Sequence, residues 1–482
     1  MTVDLLTIGI FVLGALTVSL LPSRWRAWAL LAVSVIALYG LQPRLSVRFA
    51  DFILPSLTVG ISVAGWWITR ADSDEQRASL SQDRITFGVV VALVIGMSLF
   101  RFVDADYRLT ASRPPNPLWV ITGVALATAI VWGIRRMSGR GILLGGLIAV
   151  LGAFIALKTP LFATAIAAWA RGLTAQDVSL ASPLDLNWLG FSYIAFRLVH
   201  TLRDRQTGLL PALTLREYLT YVIFTPSLIA GPIDRAERFA PDLRALATLP
   251  RMDGERLLRA GERIMIGLFK KFVIADSLAA GVALNALNAP QSDGGLWAWV
   301  LLYGYALRLF FDFSGYTDIA IGVGMLVGVQ LPENFNRPYF KTDITAFWQS
   351  WHMSLSSWAR AYVFSPLSRN LLRLKRRPNA ATIALICQIA TMITIGLWHG
   401  VSWNFLIWGL WHGVGLFVHK VYTDNTRKWH RDLKAKPRQW QAYSVLMWAA
   451  TFHYVLLGWV WFVLPTPTDA VQFFAKLMGV GG

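Results

Sequence analysis

Residues 312–318 read Asp-Phe-Ser-Gly-Tyr-Thr-Asp, residues 347–358 read Phe-Trp-Gln-Ser-Trp-His-Met-Ser-Leu-Ser-Ser-Trp, and residues 396–400 read Gly-Leu-Trp-His-Gly. All three segments lie in one otherwise apolar region, where they concentrate polar side chains. Ionisable groups are costly inside a membrane and usually line a pathway or a site. This region, with His352 and His399 at its centre, is therefore the predicted functional part of the chain.

The composition around this region is that of an integral membrane protein. Of the 482 residues, 55% are hydrophobic and only 15% are charged, whereas soluble domains carry about 25% charged residues. Apolar runs recur along the chain, and a bilayer core ~30 Å thick needs roughly 20 apolar residues per helix. We predict an all-α polytopic protein of the inner (plasma) membrane, with about 11 to 13 transmembrane helices plus re-entrant or interfacial helices.

The net charge of +18 does not predict nucleic-acid binding, because the Lys and Arg residues punctuate the apolar runs. Cytoplasmic loops of membrane proteins are enriched in Lys and Arg. We therefore place the loops 235–263, 369–378 and 420–438 in the cytoplasm and the N-terminus outside. The short loop around Arg135 and Arg136 also reads as cytoplasmic.

Cysteine chemistry is not expected. Cys387 stands alone in an apolar run, so we predict neither a disulfide framework, a metal site nor a thiol nucleophile.

Two regions differ in character along the chain. Residues 1–170 are apolar runs joined by loops, such as the mixed-charge segment 70–85, and are predicted to be a scaffold. Residues 171–482 carry the polar segments and are predicted to be one continuous catalytic membrane domain.

The second region opens with Arg197, His200 and Asp204, whose spacing of three and four residues allows them to share a helix face and pair. A structural salt-bridge network and a functional cluster are both compatible with this spacing. The next apolar run, 224–232, is broken by two prolines and a glycine. Broken backbone at membrane depth is tolerated where it lines a cavity or is buried in protein, so this segment is predicted to border the site.

Lysines and carboxylates alternate between the next apolar runs. Lys270 and Lys271 either extend to the membrane interface or face an anionic donor at the cytoplasmic mouth. The runs 296–311 and 314–330 read as two spans. Arg308 and Asp312 lie four residues apart and Asp318 follows, and such charges within apolar helices should face the protein interior and pair there.

Aromatic and hydroxyl residues alternate through 335–368, which predicts an amphipathic or re-entrant helix rather than a span. It would place His352 at the inner end of a cavity. His399 lies in a Trp-His-Gly break between two apolar spans, where Gly400 allows backbone or substrate to approach closely. We predict that the two imidazoles converge within ~15 Å, the reach of a short water relay.

Several segments resemble the membrane-bound O-acyltransferase family. They are the Asp-Phe-Ser-Gly-Tyr-Thr-Asp run, the Pro-Glu-Asn-Phe-Asn-Arg-Pro-Tyr run at 332–339, the segment 351–358, the Leu-Trp-His-Gly run and Trp403-Asn404. The pattern is most similar to the bacterial branch that contains the alginate O-acetyltransferase membrane subunit and the D-alanine exporter of teichoic acids. The resemblance implies a ring of helices around a central tunnel, with His399 as the family's invariant histidine and His352 as its polar partner.

The resemblance also implies an acyl donor, acetyl-CoA or a carrier-protein thioester, with no bound cofactor. Residues of the matching segments become candidates for binding substrate or lining the tunnel: Asp312, Ser314, Tyr316, Asp318, Asn334, Trp351, Ser354, Trp358, Arg360, Trp398, Trp403, Asn404 and His412. His412 could equally pack against its neighbours. Three positions depart from the family pattern, at Ala361, at Ser368-Arg369 and at Val463, and they leave the acceptor open.

Acyl transfer to a hydroxyl needs a base near neutral pKa, and histidine meets this without perturbation. The alternative for both histidines is a hydrogen-bonded side chain near the membrane interface. The leading hypothesis is O-acetylation of an exported or cell-wall polysaccharide, working with an extracytoplasmic modification partner. Transfer of D-alanine or another acyl group is the second, and a transporter with a histidine-lined path is the non-enzymatic alternative.

Overall fold

The computed structural model describes residues 4–70, 79–134, 140–251 and 253–480. Helices make up 77% of the structure, and the described ranges contain no β-strand, only an isolated bridge between Phe335 and Trp351. The all-α prediction is therefore confirmed. The centre of the predicted mixed-charge loop 70–85 and the Arg135-Arg136 loop lie outside the described residues.

The helices follow one another with short connections. Their bounds are α1 Leu5–Leu20, α2 Ser23–Leu41, α3 Ala50–Thr69, α4 Leu80–Ser98, α5 Pro117–Ile134, α6 Arg140–Lys158, α7 Pro160–Leu173, α8 Phe191–Thr207, α9 Leu215–Val222, α10 Ala236–Ala245, α11 Gly254–Leu268, α12 Asp276–Gly281, α13 Gly295–Val327, α14 Ile344–Trp348, α15 Met353–Ala359, α16 Ser365–Leu372, α17 Ala380–His399, α18 Trp403–Lys434, α19 Pro437–Val463 and α20 Pro467–Leu477. Single 3₁₀ turns and two π-helical segments, Phe269–Ala275 and Arg360–Phe364, connect some of them.

Eight helices among the described residues are long and apolar enough to cross a membrane. They are α2, α3, α4 with the turn that extends it to Phe102, α5, α6, α13, α17 and α19. The chain is thus a multi-pass membrane protein, as predicted. One detail differs from the prediction, because the runs 296–311 and 314–330 form a single helix, α13, of 33 residues.

The chain divides into two compact units, Met1–Ile264 with Ala320–Leu331, and Met265–Ile319 with Pro332–Gly482. This division falls elsewhere than the predicted boundary between 170 and 171, which stays a prediction.

In the first unit, the broken run 224–232 forms a 3₁₀ turn at Thr225–Ser227 that is held by a buried arginine. Arg197 donates to the carbonyl oxygens of Tyr221, Val222 and Ser227, at 3.2, 2.7 and 2.9 Å. The helix broken by Pro226 leaves carbonyl groups without helical donors, and the guanidinium supplies the missing hydrogen bonds. The break is thus buried in protein, one of the two situations that the sequence predicted.

In the second unit, α13 crosses the C-terminal end of α11 at Gly315 and Gly267. A Cβ atom on Gly267 would lie 2.6 Å from the carbonyl oxygen of Gly315, and one on Gly315 would lie 2.8 Å from that of Gly267. Small residues let helix backbones approach closely in membranes. The glycine of the Asp-Phe-Ser-Gly-Tyr-Thr-Asp motif is therefore required for packing.

The hairpin of α17 and α18 is packed in the same way. A Cβ atom on Gly409 would lie 2.7 Å from the carbonyl oxygen of Met392, and one on Gly413 would lie 2.9 Å from Cα of Ile389. Glycines four residues apart on α18 thus bring it against α17. This contact fixes the position of His399, the last residue of α17.

Candidate functional site

His352 occupies a strained position. It is 3% exposed and stands at the start of α15 with φ 44° and ψ 55°, in the left-handed region that non-glycine residues rarely adopt. Its Nε2 atom is buried and has no hydrogen-bond partner among the described residues. Strained backbone of this kind persists only where the surroundings hold it, and it clusters at functional sites.

Asn334 holds this turn. Its backbone carbonyl accepts from the Met353 amide at 2.9 Å, and its side-chain oxygen accepts from the Ser354 hydroxyl at 2.6 Å and the Ser354 amide at 3.2 Å. The Pro-Glu-Asn-Phe-Asn run therefore acts as a brace for the His352 backbone. We assign Asn334 and Ser354 to positioning, which sequence reasoning had placed with the substrate-binding candidates.

His399 lies in a cage of aromatic rings. Its ring centroid is 4.7 Å from that of Phe462, 5.7 Å from Phe405, 5.8 Å from Trp408 and 4.5 Å from Trp398. Phe405 stacks on the imidazole, whereas the other three rings pack against it in a T-shaped arrangement. His399 is half-buried, so these rings shield part of the imidazole from water.

The ring of Trp398 packs against both histidines. Its ring centroid lies 6.0 Å from that of His352 and 4.5 Å from that of His399, so the two imidazoles are separated by no more than the sum of these distances. The predicted convergence within ~15 Å is confirmed. Burial, and then the neighbouring His399, hold the pKa of His352 well below its usual value, so His352 is a neutral imidazole.

Gly400 follows His399 in extended backbone, with φ 176°, a conformation that any residue adopts. A Cβ atom at this position would lie 2.9 Å from Cε2 of Phe405. The absence of a side chain at Gly400 therefore leaves room for the ring of Phe405. This ring stacks on His399 at an interplanar angle of 27°.

The carboxylates of the 312–318 motif form partly buried ion pairs, each with one buried and one partly exposed partner. Lys271 pairs with Asp312, and Lys270 pairs with Asp318 at 2.7 Å. The sequence analysis left two alternatives for these lysines, the membrane interface or an anionic donor. Neither describes this arrangement, because both lysine side chains pair with aspartates of α13. The expectation that the charges of α13 pair with other protein groups is confirmed for Asp312 and Asp318. The motif contacts His352 through Phe313, whose ring lies 4.6 Å away.

The structure separates the remaining candidates by location. Ser314 and Tyr316 are buried, and their hydroxyl oxygens have no hydrogen-bond partner in the described part of the chain. Trp351 packs among Phe335, Tyr339, Phe347 and Trp459, in the aromatic core of the second unit.

The other candidates lie at the periphery of the histidine pair or away from it. Trp358 is buried against Tyr362, with ring centroids 5.2 Å apart. Asn404 donates to the carbonyl of Leu464 at 2.5 Å and anchors the start of α18. Arg360 is exposed, and Trp403 is 72% exposed. Trp403 therefore does not shield His399 in this structure, whereas Trp398 does.

His412 packs tightly. It is fully buried, its ring centroid lies 4.9 Å from Trp408 and 5.1 Å from Trp348, and a Cβ atom on Gly458 would lie 2.8 Å from its Nε2 atom. Neither ring nitrogen has a hydrogen-bond partner among the described residues. The packing alternative describes His412 better than a place along an open tunnel.

His200 belongs to a separate cluster in the first unit. Its Nδ1 lies 3.2 Å from Asp204, and its Nε2 accepts from the Ala236 amide at 3.0 Å and lies 3.4 Å from Glu237. Among the described residues, the side chains of His200, Asp204 and Glu237 are close enough together to share a metal ion, with one potential ligand atom of each within 4.8 Å of the others. Because both ring nitrogens are already engaged by protein groups, the cluster fits the structural salt-bridge alternative better than a metal site.

A large cavity opens between α18 and α19 in the second unit. Its volume is about 780 Å³, within the range of small-molecule sites. Aromatic side chains line one side, including Trp440 and Tyr443, and the cations Arg427, Arg431 and Lys434 lie among them. The segment 420–438, predicted to be a cytoplasmic loop, is helical instead: it forms the end of α18 as far as Lys434 and the start of α19 from Pro437. It contributes all three cations.

Sequence reasoning missed Phe405 and Trp408, which surround His399. They are spaced three residues apart on α18 and His412 follows four residues later, so all three share one helix face. This helical spacing of aromatic residues can be read from the sequence, so it could have identified Phe405 and Trp408. Phe462, by contrast, comes from α19, and only the tertiary structure brings it to His399.

Comparison with known proteins identifies the family pattern. A model of the membrane-bound O-acyltransferase family matches residues 158–460, which include both histidines, the 312–318 motif and the glycine-packed hairpin.

Individual relatives carry three different names. A teichoic acid D-alanyltransferase of Streptococcus thermophilus is 35% identical over 255 residues, covering 52% of this chain and 60% of the relative. A peptidoglycan O-acetyltransferase of Helicobacter pylori is 36% identical over 267 residues, covering 55% and 47%. A probable alginate O-acetylase of Pseudomonas syringae is 34% identical over 279 residues, covering 57% and 48%. The chain thus spans about half the length of these relatives.

Proposed function

Since the chain belongs to the membrane-bound O-acyltransferase family, we propose that it transfers an acyl group from a cytoplasmic thioester to a hydroxyl group of an extracytoplasmic polysaccharide. An acetyl group is the leading candidate, and D-alanine is the alternative that the Streptococcus relative's name supports. The family match does not favour the transporter hypothesis. The observation that carries the proposal is the pair of imidazoles on either side of Trp398.

The proposed chemistry needs one base at the acceptor. His399 removes the proton from the acceptor hydroxyl, the hydroxyl oxygen attacks the thioester carbonyl, and the carbon–sulfur bond breaks. The departing thiolate takes the proton from the imidazolium, so charge and protons balance. General-base help of this kind contributes ~10² to 10⁴ in rate.

His352 is proposed to position one of the reactants. It is neutral, and its Nε2 atom is buried with no hydrogen-bond partner among the described residues. A buried polar atom without a partner carries a desolvation cost that a substrate hydrogen bond would remove. The brace formed by Asn334 fixes the direction in which this atom points.

The cavity between α18 and α19 is the proposed donor site. Acetyl-CoA carries phosphate groups that Arg427, Arg431 and Lys434 can neutralise, and its adenine ring can stack on Trp440 or Tyr443. A carrier protein would present a phosphopantetheine arm with one phosphate to the same cations. We further propose the inner membrane as the location and an extracytoplasmic protein as the partner that completes polysaccharide modification.

Transfer from a labelled thioester by protein in liposomes tests the proposal. One arm supplies acetyl-CoA, the other supplies a carrier protein loaded with D-alanine, and both measure acylation of a polysaccharide acceptor. We expect His399→Ala to lower transfer by ~10² or more and His352→Ala to lower it less. The control is His453→Gln, because His453 contacts Tyr303 at 2.6 Å and glutamine can also accept from that hydroxyl.

Each result has a defined meaning. Normal transfer by a well-folded His399→Ala protein would contradict the assignment of His399 as base. Absence of thioester consumption in both arms, by wild-type protein that is folded and monodisperse, would contradict acyl transfer itself.

A further inference from the structure

Four arginines surround one cavity in the first unit. Arg44, Arg48, Arg101 and Arg113 line a space of about 430 Å³. None of the four guanidiniums forms an ion pair with a carboxylate in the described ranges of the chain. Four neighbouring positive charges repel one another, so an anion bound between them would stabilise the arrangement.

The cavity is built by hydrogen bonds between separate segments. Gln176 accepts from the Arg48 amide at 2.7 Å and donates to the carbonyl of Ser46 at 2.9 Å. Arg101 donates to the carbonyl of Pro114 at 2.8 Å. Ser112 donates to Oδ1 of Asp51 at 2.8 Å, whereas Oδ2 of this buried carboxylate has no hydrogen-bond partner among the described residues. Asp51 forms no ion pair with any of the four arginines in the described ranges, so it offsets part of their charge only at a distance. The arginines are thus held at one place by contacts that leave Arg44 and Arg48 able to bind a ligand.

A long apolar groove adjoins the arginine cavity. Its volume is about 1060 Å³, and it shares Arg48, Phe49 and Arg101 with the cavity. It runs between α3, α4 and α5, where branched and aromatic side chains line it. The lining residues on α5 extend from Trp119 to Ile134, a rise of about 22 Å along the helix. That exceeds the ~15 Å depth of one leaflet's hydrocarbon.

The segments that carry the arginines share one membrane side. Residues 42–49 follow α2 and precede α3, and residues 103–116 follow α4 and precede α5, so alternating spans bring both segments to the same face. This face is extracytoplasmic where the N-terminus lies outside, as predicted, and α1, a shorter apolar helix of 16 residues, crosses the membrane in addition to the eight longer helices. Arginine clusters are disfavoured on that side, which means that the cluster needs a reason other than orientation.

We propose that the arginine cavity and the apolar groove together bind one anionic phospholipid of the outer leaflet. The phosphodiester lies between Arg44, Arg48, Arg101 and Arg113, where guanidinium groups form paired, charge-assisted hydrogen bonds to phosphate. One acyl chain lies in the groove along α5. This site is independent of acyl transfer and fills an exposed crevice beside α5, a helix of which Val120 is the one buried residue in the described range 117–134.

Native mass spectrometry of the protein in nanodiscs tests the headgroup. The nanodiscs contain equal amounts of phosphatidylglycerol and phosphatidylcholine with identical acyl chains. We expect the protein to retain phosphatidylglycerol preferentially, and we expect Arg44→Gln with Arg48→Gln to lower that occupancy roughly tenfold or more. The control is Arg84→Gln, since Arg84 is exposed at the opposite end of α4.

A second pair of variants tests the groove. Gly123 lines it, and Gly133 on the same helix does not. Neither glycine has an atom within 4 Å of the position that a Cβ atom would take, so both positions have open space where a leucine side chain begins. We expect Gly123→Leu to reduce phosphatidylglycerol retention and Gly133→Leu to leave it unchanged.

Three results would overturn the proposal in folded, monodisperse protein. They are equal retention of the two lipids, full retention by the double arginine variant, and full retention by Gly123→Leu.

Discussion

The contact between Gly400 and Phe405 gives the sharpest test of how His399 is positioned. In Gly400→Ala, the new Cβ atom would lie 2.9 Å from Cε2 and 3.1 Å from Cδ2 of Phe405. The ring must shift by about half an ångström to reach ordinary contact. It is confined by His399 on one side and by Phe462 on another, with ring centroids 5.7 and 5.2 Å away.

The expected cost follows from this confinement. Overpacking in a filled core costs about 1–3 kcal/mol, and we expect the unfolding free energy to fall by this amount. The shift of Phe405 also displaces His399. Because a misplacement of about 1 Å can cost 10²-fold in rate, half of it should lower transfer roughly tenfold. The backbone contributes no strain, since φ of Gly400 is 176°.

A double-mutant cycle checks the reasoning. Phe405→Leu removes the ring atoms that meet the new Cβ, so Gly400→Ala should cost much less stability in that background, with a coupling of about 1–2 kcal/mol. The measurements are thermal unfolding in detergent and acyl transfer in liposomes. Gly281→Ala is the control, because nothing lies within 4 Å of its Cβ position. Equal cost of Gly400→Ala in both backgrounds would show that Phe405 is not what the glycine accommodates.

Three further variants probe the ion pairs, the donor cavity and the packed histidine. Asp312→Ala removes the carboxylate that pairs with the buried ammonium of Lys271 and should lower the free energy of unfolding by about 3 kcal/mol. The double variant Lys271→Met with Asp312→Leu should lose less, because no unpaired charge stays buried. Equal losses for the two proteins in thermal unfolding would contradict this. Arg427→Gln with Arg431→Gln should raise KM for acetyl-CoA about tenfold with kcat nearly unchanged, and an unchanged KM would place the donor elsewhere. His412→Leu should retain most transfer while His412→Ala lowers stability by about 2–4 kcal/mol; loss of transfer by a folded His412→Leu protein would make the imidazole itself necessary.

Local patterns allowed much of the architecture to be predicted from sequence. Apolar runs of sufficient length identify membrane helices, and two prolines and a glycine identify the break at 224–232, because both signals depend on neighbouring residues. The approach of His352 to His399 also followed from chain connectivity, since a single helix, α17, returns the chain. The predicted roles of these histidines in chemistry have no such geometric test and stay proposals.

What could not be predicted depends on residues far apart in sequence. Lys271 and Asp312 are 41 residues apart, and Lys270 and Asp318 are 48 apart, so no local spacing indicates these pairs. The left-handed backbone at His352 is likewise imposed by Asn334 from another segment. Propensity disfavours that conformation for histidine, and only the tertiary hydrogen bonds explain it.

These contacts change how the polar residues of the 312–413 region are understood. The sequence presents them as one set of site candidates, but most of them hold the structure together: the aspartates pair with lysines, Asn334 braces a turn, and Asn404 anchors α18. The buried polar atoms in this region that lack partners among the described residues include Nε2 of His352 and the hydroxyl oxygens of Ser314 and Tyr316. Both ring nitrogens of His412 also lack partners, but this ring is packed against Trp348, Trp408 and Gly458.

Groups without partners can exchange a desolvation cost for a substrate contact, whereas the paired carboxylates would have to break an ion pair first. Ser314 and Tyr316 flank the glycine at which α13 is packed closely, so their backbone positions are fixed. Binding of donor or acceptor should therefore depend on His352, Ser314 and Tyr316 more than on Asp312 or Asp318. The aspartates, despite their charge, should affect transfer chiefly through the stability of the fold.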